Sequence, residues 1–232
     1  MSNIILASTK ASKSNVNVLG NAYDILKFMM SLLIVAIHSY AFEGIWFRDW
    51  IKPLNSIAVP VFFVLSSLFY FKKIRKVESY YPIFLHFLKR LLLLYLFWFI
   101  VNIPITQHTN QYFINCSDWI NELWRLTLDL CVKGTYPGSW FFSTLAISII
   151  IWSVSYKNVI VRHLLFVMSF FLLSYFYWIQ YLPTYLHGFQ DWWFNNVSSH
   201  FEMSPFFALF WVGIGAHLST PVYDRFIVYL KT

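Results

Sequence analysis

Apolar residues dominate this chain in long unbroken runs, not in the alternating or three-four spacing of a half-buried strand or helix. Segments free of Asp, Glu, Lys and Arg cover residues 28–42, 53–71, 91–117, 134–156, 163–190 and 203–223. Each holds a helix of about 17 to 25 residues, enough to cross a ~30 Å hydrocarbon core, the first by continuing past Glu43 to Phe47. Backbone amides in lipid must be bonded within their own segment, so continuous apolar runs are helices and not strands. The pattern predicts an all-α, polytopic integral membrane protein with six transmembrane helices.

One segment differs. From Asp118 to Leu130, apolar positions 119, 120, 123, 124, 126, 128 and 130 are interrupted by Glu122, Arg125 and Asp129. Those charges argue against a further span and predict an amphipathic helix lying in the outer interface, its tryptophans at headgroup depth. Residues 1–22, rich in Ser and Asn, predict a polar cytoplasmic tail, with neither the short apolar region nor the small-residue cleavage site of a signal peptide after them. Residues 23–232 predict a single transmembrane domain.

Composition agrees with this picture. The 232 residues are 59% hydrophobic, 22% aromatic and only 12% charged, more apolar surface than one soluble core of this size can hide. The formal net charge of +7 would suit a nucleic-acid binder if it were gathered on one face, but the basic residues are sorted by side of the membrane instead. With the N-terminus inside, Lys10, Lys13, Lys27, Lys72, Lys73, Arg75, Lys76, Lys89, Arg90, Lys157, Arg162, Arg225 and Lys231 fall on the cytoplasmic side: thirteen of the seventeen. Only Arg48, Lys52, Arg125 and Lys133 fall outside, so both termini are expected in the cytoplasm and nucleic acid is not an expected partner.

Cys116 and Cys131 share one outer segment, where an oxidising compartment could join them. No metal-ligand spacing of Cys or His occurs, so no metal is expected. Asn115-Cys-Ser and Asn196-Val-Ser match glycosylation acceptors on outer loops, which matters only in a eukaryotic secretory pathway.

His38 is the first candidate for chemistry. If hydrocarbon begins near Phe28, it lies about 15 Å deep, where an ionisable side chain costs a few kcal/mol unless it faces a partner or water. Lys27 precedes it by eleven helical steps, about three turns and roughly 16 Å along the same face, with Ser31 extending the stripe. The alternative is a neutral imidazole bonded to a neighbouring helix. In the second span, Pro60 and the small pair Ser66-Ser67 allow a local kink and close helix approach. Lys72, Lys73, Arg75, Lys76, Lys89 and Arg90 bracket the short inner segment that follows, as topological signals or as a clamp for phosphate.

Three segments together resemble the acyltransferase 3 family, polytopic membrane O-acyltransferases of sugars and surface polysaccharides. They are Asp24-Ile-Leu-Lys-Phe-Met through Val35-Ala-Ile-His38, then Val59-Pro-Val-Phe-Phe-Val-Leu-Ser66-Ser67, and Gly138-Ser-Trp-Phe-Phe-Ser-Thr-Leu145. Lys27 stands where the family has an arginine eleven positions before an essential histidine. Ser67 stands for the glycine that ends the second motif, and Gly138-Ser139 precede Trp140 where the family's third motif carries a histidine. Members usually have about ten spans, so the chain reads as shortened at its C-terminus.

The resemblance implies transfer of an acyl group from acyl coenzyme A, with acetyl coenzyme A expected, to a hydroxyl of a cell-surface polysaccharide or lipid-linked glycan. His38 would be the general base, its neutral imidazole suited to taking the hydroxyl proton. Lys27, Lys72, Lys73, Arg75, Lys89, Arg90 and Trp140 would hold the donor, with the bilayer, a carbohydrate acceptor and either further C-terminal spans or an oligomeric partner completing the system. The implied location is a bacterial inner membrane. Two other classes remain open: an inactive family member acting as a membrane partner, and a transporter of a small solute or proton, to which Pro60, Gly213 and Gly215 lend interrupted helices.

Overall fold

The structure, a computed structural model, describes residues 23–34, 48–104, 118–135, 138–197 and 201–221. His38, Cys116 and the Asn115 acceptor lie outside the described residues. The chain divides into two compact units, Met1–Phe62 and Phe63–Thr232.

All regular structure among the described residues is helical. In the first unit, α1 covers 23–34 and the first part of α2, Arg48–Ile74, begins. α2 stays helical through Pro60. The second unit carries the remainder of α2, then α3 (Tyr81–Val101), α4 (Trp119–Leu128) with a π turn at Asp129–Lys133, α5 (Trp140–Ser155), α6 (Val159–Trp178), α7 (Gly188–Asn196) and α8 (Pro205–Leu218).

Local chemistry sets the boundaries. Pro82 opens α3 and Pro205 opens α8, where a missing amide hydrogen is harmless. Asn158 caps α6 by accepting from the Ile160 and Val161 amides, Ser204 caps α8 through the Phe207 amide, and Asp118 caps α4 through the Asn121 amide. Gly134 and Gly138, at φ of 85° and 83°, turn the chain from the π turn into α5 in a conformation that side chains resist.

Three helices, α2 from Ser56, α3 and α6, are long and apolar enough to cross a membrane, and α5 and α8 are apolar but shorter. At 16 and 14 residues they measure about 24 Å and 21 Å. α6 also differs from its apolar run: it starts earlier, at the Asn158 cap, and stops at Trp178, five residues before Pro183, with two 3₁₀ turns and α7 filling the rest. The segment expected to be an amphipathic helix is α4, with Trp119, Ile120, Leu123 and Trp124 exposed along it.

α2, α5 and α8 form the core of the second unit and run parallel. Phe63 stacks on Phe141 and lies near Phe207 at one end, whereas at the other Phe71 stacks on Tyr156 and Arg75 reaches Ser219. Phe63, Phe71, Ile149, Trp152 and Val212 are fully buried between them. Tyr70 donates to Ser153 Oγ at 2.8 Å, because the Ser153 hydroxyl hydrogen is already given to the Ile149 carbonyl. Trp152 Nε1 donates to the Leu209 carbonyl at 2.9 Å.

α3 and α6 run the opposite way on the outside. Phe87 meets Tyr70 while Tyr95 meets Phe142, and His163 meets His217 while Phe176 meets Phe206. Both leave broad apolar faces uncovered: Phe97 and Ile100 on α3 and Phe171 on α6 are more than half exposed. Contiguous surface of this kind is sustained by lipid and not by water, which marks a membrane protein.

Candidate functional site at the basic end of the helix bundle

The directions of the helices gather the C-terminal ends of α2, α5 and α8 and the N-terminal ends of α3 and α6 at one end of the second unit. Cations satisfy the carbonyls that end these helices, as the dipole favours. Arg75 Nη1 donates to the Ser219 carbonyl at 2.6 Å, just past α8. Tyr156 donates to Ser219 Oγ at 2.8 Å, and Ser219 Oγ passes its own hydrogen to the Ala216 carbonyl. Arg162 lies over the Tyr156 ring, 5.7 Å from its centre, with Nη1 3.4 Å from the Tyr156 carbonyl, and Lys157 Nζ bonds the Glu78 carbonyl. One polar chain thus ties α2, α8, α5 and α6 together.

The residues singled out from sequence fall into separate groups. Lys72, Lys73 and Arg75 sit at this basic end, Lys73 exposed and Arg75 already on Ser219. Lys89 and Arg90 do not lie in the connecting segment: α3 begins at Tyr81, so they stand about 12 Å along it, exposed. Trp140 opens α5 at the opposite end, 6.4 Å from Phe63 between ring centres. In the first unit Lys27 pairs with Asp24 at 3.2 Å, and Ser31 Oγ bonds the Lys27 carbonyl. Among the described residues no group of three His, Cys, Asp or Glu side chains is placed to hold a metal ion.

Two histidines that the sequence reading passed over meet at the basic end. His217 Nδ1 is 2.9 Å from the Gly213 carbonyl, and His217 Nε2 is 3.3 Å from His163 Nδ1. A carbonyl only accepts, so Nδ1 of His217 carries a hydrogen and Nε2 of its neutral form presents a lone pair to His163. Trp152 meets the His217 ring edge-on and Phe166 covers it at 4.5 Å. The signal was in the sequence: both histidines lie inside predicted spans, as His38 does.

The packing core brings two of the family-like segments together. Phe63 of the second stacks on Phe141 of the third, ring centres 4.8 Å apart, and Ser67, fully buried, donates to the Phe63 and Val64 carbonyls. No family model, curated protein or solved structure matches this chain.

Proposed function

We propose that this chain is a membrane-embedded O-acyltransferase-like protein of the acyltransferase 3 type, with His38 as general base and acyl coenzyme A as donor. The observation that carries the reading is the contact of Phe63 with Phe141: two segments nearly eighty residues apart, chosen only for their likeness to family motifs, are in contact in one core. Helix direction supports the six-span threading. Parallel α2, α5 and α8 with opposed α3 and α6 are what spans two, four and six against three and five require, and the end that would face the cytoplasm is the one carrying Lys73, Arg75, Lys157 and Arg162.

In the reaction the base takes the proton of a sugar hydroxyl, the alkoxide oxygen attacks the thioester carbonyl, the carbon–sulfur bond breaks, and the leaving thiolate recovers the proton. The cations of the basic end suit the phosphates of the donor, although lysine holds phosphate less directionally than arginine. Membranes of a bacterial host carrying the intact chain should contain acylated surface glycan, and membranes carrying His38→Ala should not. Equal acylation in both would remove His38 from the mechanism, and none in either would reject the transferase reading.

A further inference from the structure

We propose that His163 is a second proton-accepting site, opening at the basic end of the bundle and oriented by His217, for the hydroxyl or thiol of an anionic ligand. The inference is independent of His38 and of the acyltransferase reading. It follows from an ordered chain of hydrogen bonds. The Gly213 carbonyl holds the His217 Nδ1 hydrogen, which turns the Nε2 lone pair of His217 toward His163 Nδ1. In the neutral pair the remaining hydrogen must lie on His163 Nδ1, since two lone pairs facing each other at 3.3 Å repel. His163 Nε2 is then the lone pair left over, on an exposed residue, with no partner among the described residues.

The surroundings favour this state. Trp152 and Phe166 hold His217 between rings on two helices, so the acceptor cannot swing away. Arg162, one residue before His163, is charged and its Nε finds no partner among the described residues, while Arg75 and Tyr156 are engaged with Ser219. A fixed positive charge beside the pair attracts an anionic ligand. Nε2 then takes the proton from a ligand O–H or S–H, the electron pair stays on the oxygen or sulfur, and the Nδ1 hydrogen of His163 remains bonded to His217 Nε2, which stabilises the imidazolium. His217 is a positioning residue in this arrangement.

Two measurements on the full-length protein in nanodiscs test it. With ¹⁵N-labelled histidine, imidazole spectra near neutral pH should show His163 protonated at Nδ1 and bare at Nε2, the minor form of free histidine. An Nε2–H form overturns the proposal, as do signals that shift on adding a chelator, because a metal ion would then lie between the rings. Diethyl pyrocarbonate reads the same lone pair. Nε2 attacks its carbonyl carbon, ethyl carbonate leaves, and the Nδ1 proton passes to His217. His217→Phe, which fills the space without an acceptor, should slow carbethoxylation of His163 by about tenfold or more, and His217→Gln, whose amide oxygen accepts, should restore much of the rate. Equal rates in all three proteins overturn the orienting role, whatever their stability.

Discussion

Gly215 of α8 lies directly against Ser67 of α2, so close that a Cβ on the glycine would overlap the Ser67 Oγ and the Val64 carbonyl. The helices cross here backbone to backbone, with Ser67 folded onto its own helix by bonds to Phe63 and Val64. Gly215→Ala is expected to destabilise the detergent-solubilised protein by about 1–3 kcal/mol, and Gly215→Leu by more. Ser67→Gly should recover part of the loss in the Gly215→Ala background, the Val64 carbonyl keeping the rest, with a coupling of roughly 0.5–3 kcal/mol. Strict additivity in a thermal double-mutant cycle would show that the two residues do not share this crossing.

Trp152 ties α5 to α8 in two ways. Its ring fills the space beside Gly213, and its Nε1 donates to the Leu209 carbonyl. Trp152→Ala should cost about 3–5 kcal/mol of stability from the cavity alone. Tyr70→Phe, which removes one bond while Ser153 keeps its contact with the Ile149 carbonyl, should cost only about 0.5–1.5 kcal/mol. Thermal unfolding of the two variants in the same detergent checks the order, and a larger loss for Tyr70→Phe would misplace the core.

The proposed topology, with the basic end in the cytoplasm, is open to labelling. After Cys116 and Cys131 are changed to serine, a cysteine introduced as Lys76→Cys should react with a membrane-impermeant maleimide only in permeabilised cells, and one introduced as Asp191→Cys should react in intact cells. The reverse pattern would place the basic end, with Lys73, Arg75, Lys157 and Arg162, outside, against the positive-inside expectation.

Much of the helical layout was legible because lipid imposes one rule on every segment. The amphipathic stretch became α4, three of the apolar helices are long enough to cross a membrane while α5 and α8 are shorter, and Lys72 and Lys73 stand in the last turn of α2. Charge, used as the boundary marker, misled at α3. Lys89 and Arg90 looked like the edge of a span, yet long side chains can reach water from within a helix, and the helix starts at Tyr81 with Pro82 in its first turn. Local caps and Pro183 likewise shifted α6, which no hydropathy run encodes. The His163–His217 pair was readable only in part. Each residue could be flagged as a histidine in a predicted span, but their meeting depends on α6 and α8 being antiparallel neighbours, a relation fixed by ring packing at Phe166, Phe176, Phe206 and Phe210.

The cations at the basic end divide by what they already touch. Arg75 holds the carbonyl that follows α8, so Arg75→Gln should lower stability by about 1–2 kcal/mol, the cost of freeing a helix-end carbonyl from a charged donor. Lys73 is exposed, and Lys73→Gln should stay within about 0.5 kcal/mol of wild type. Under the donor-site reading the order reverses for function. Lys73→Gln should raise the apparent KM for labelled acyl coenzyme A with little change in kcat, and added salt should narrow the difference from wild type, because the lost contact is a screened charge at the surface. If Lys73→Gln uses donor as wild type does while keeping its labelling pattern, Lys73 orients the helices only, and the phosphates must be held by other side chains.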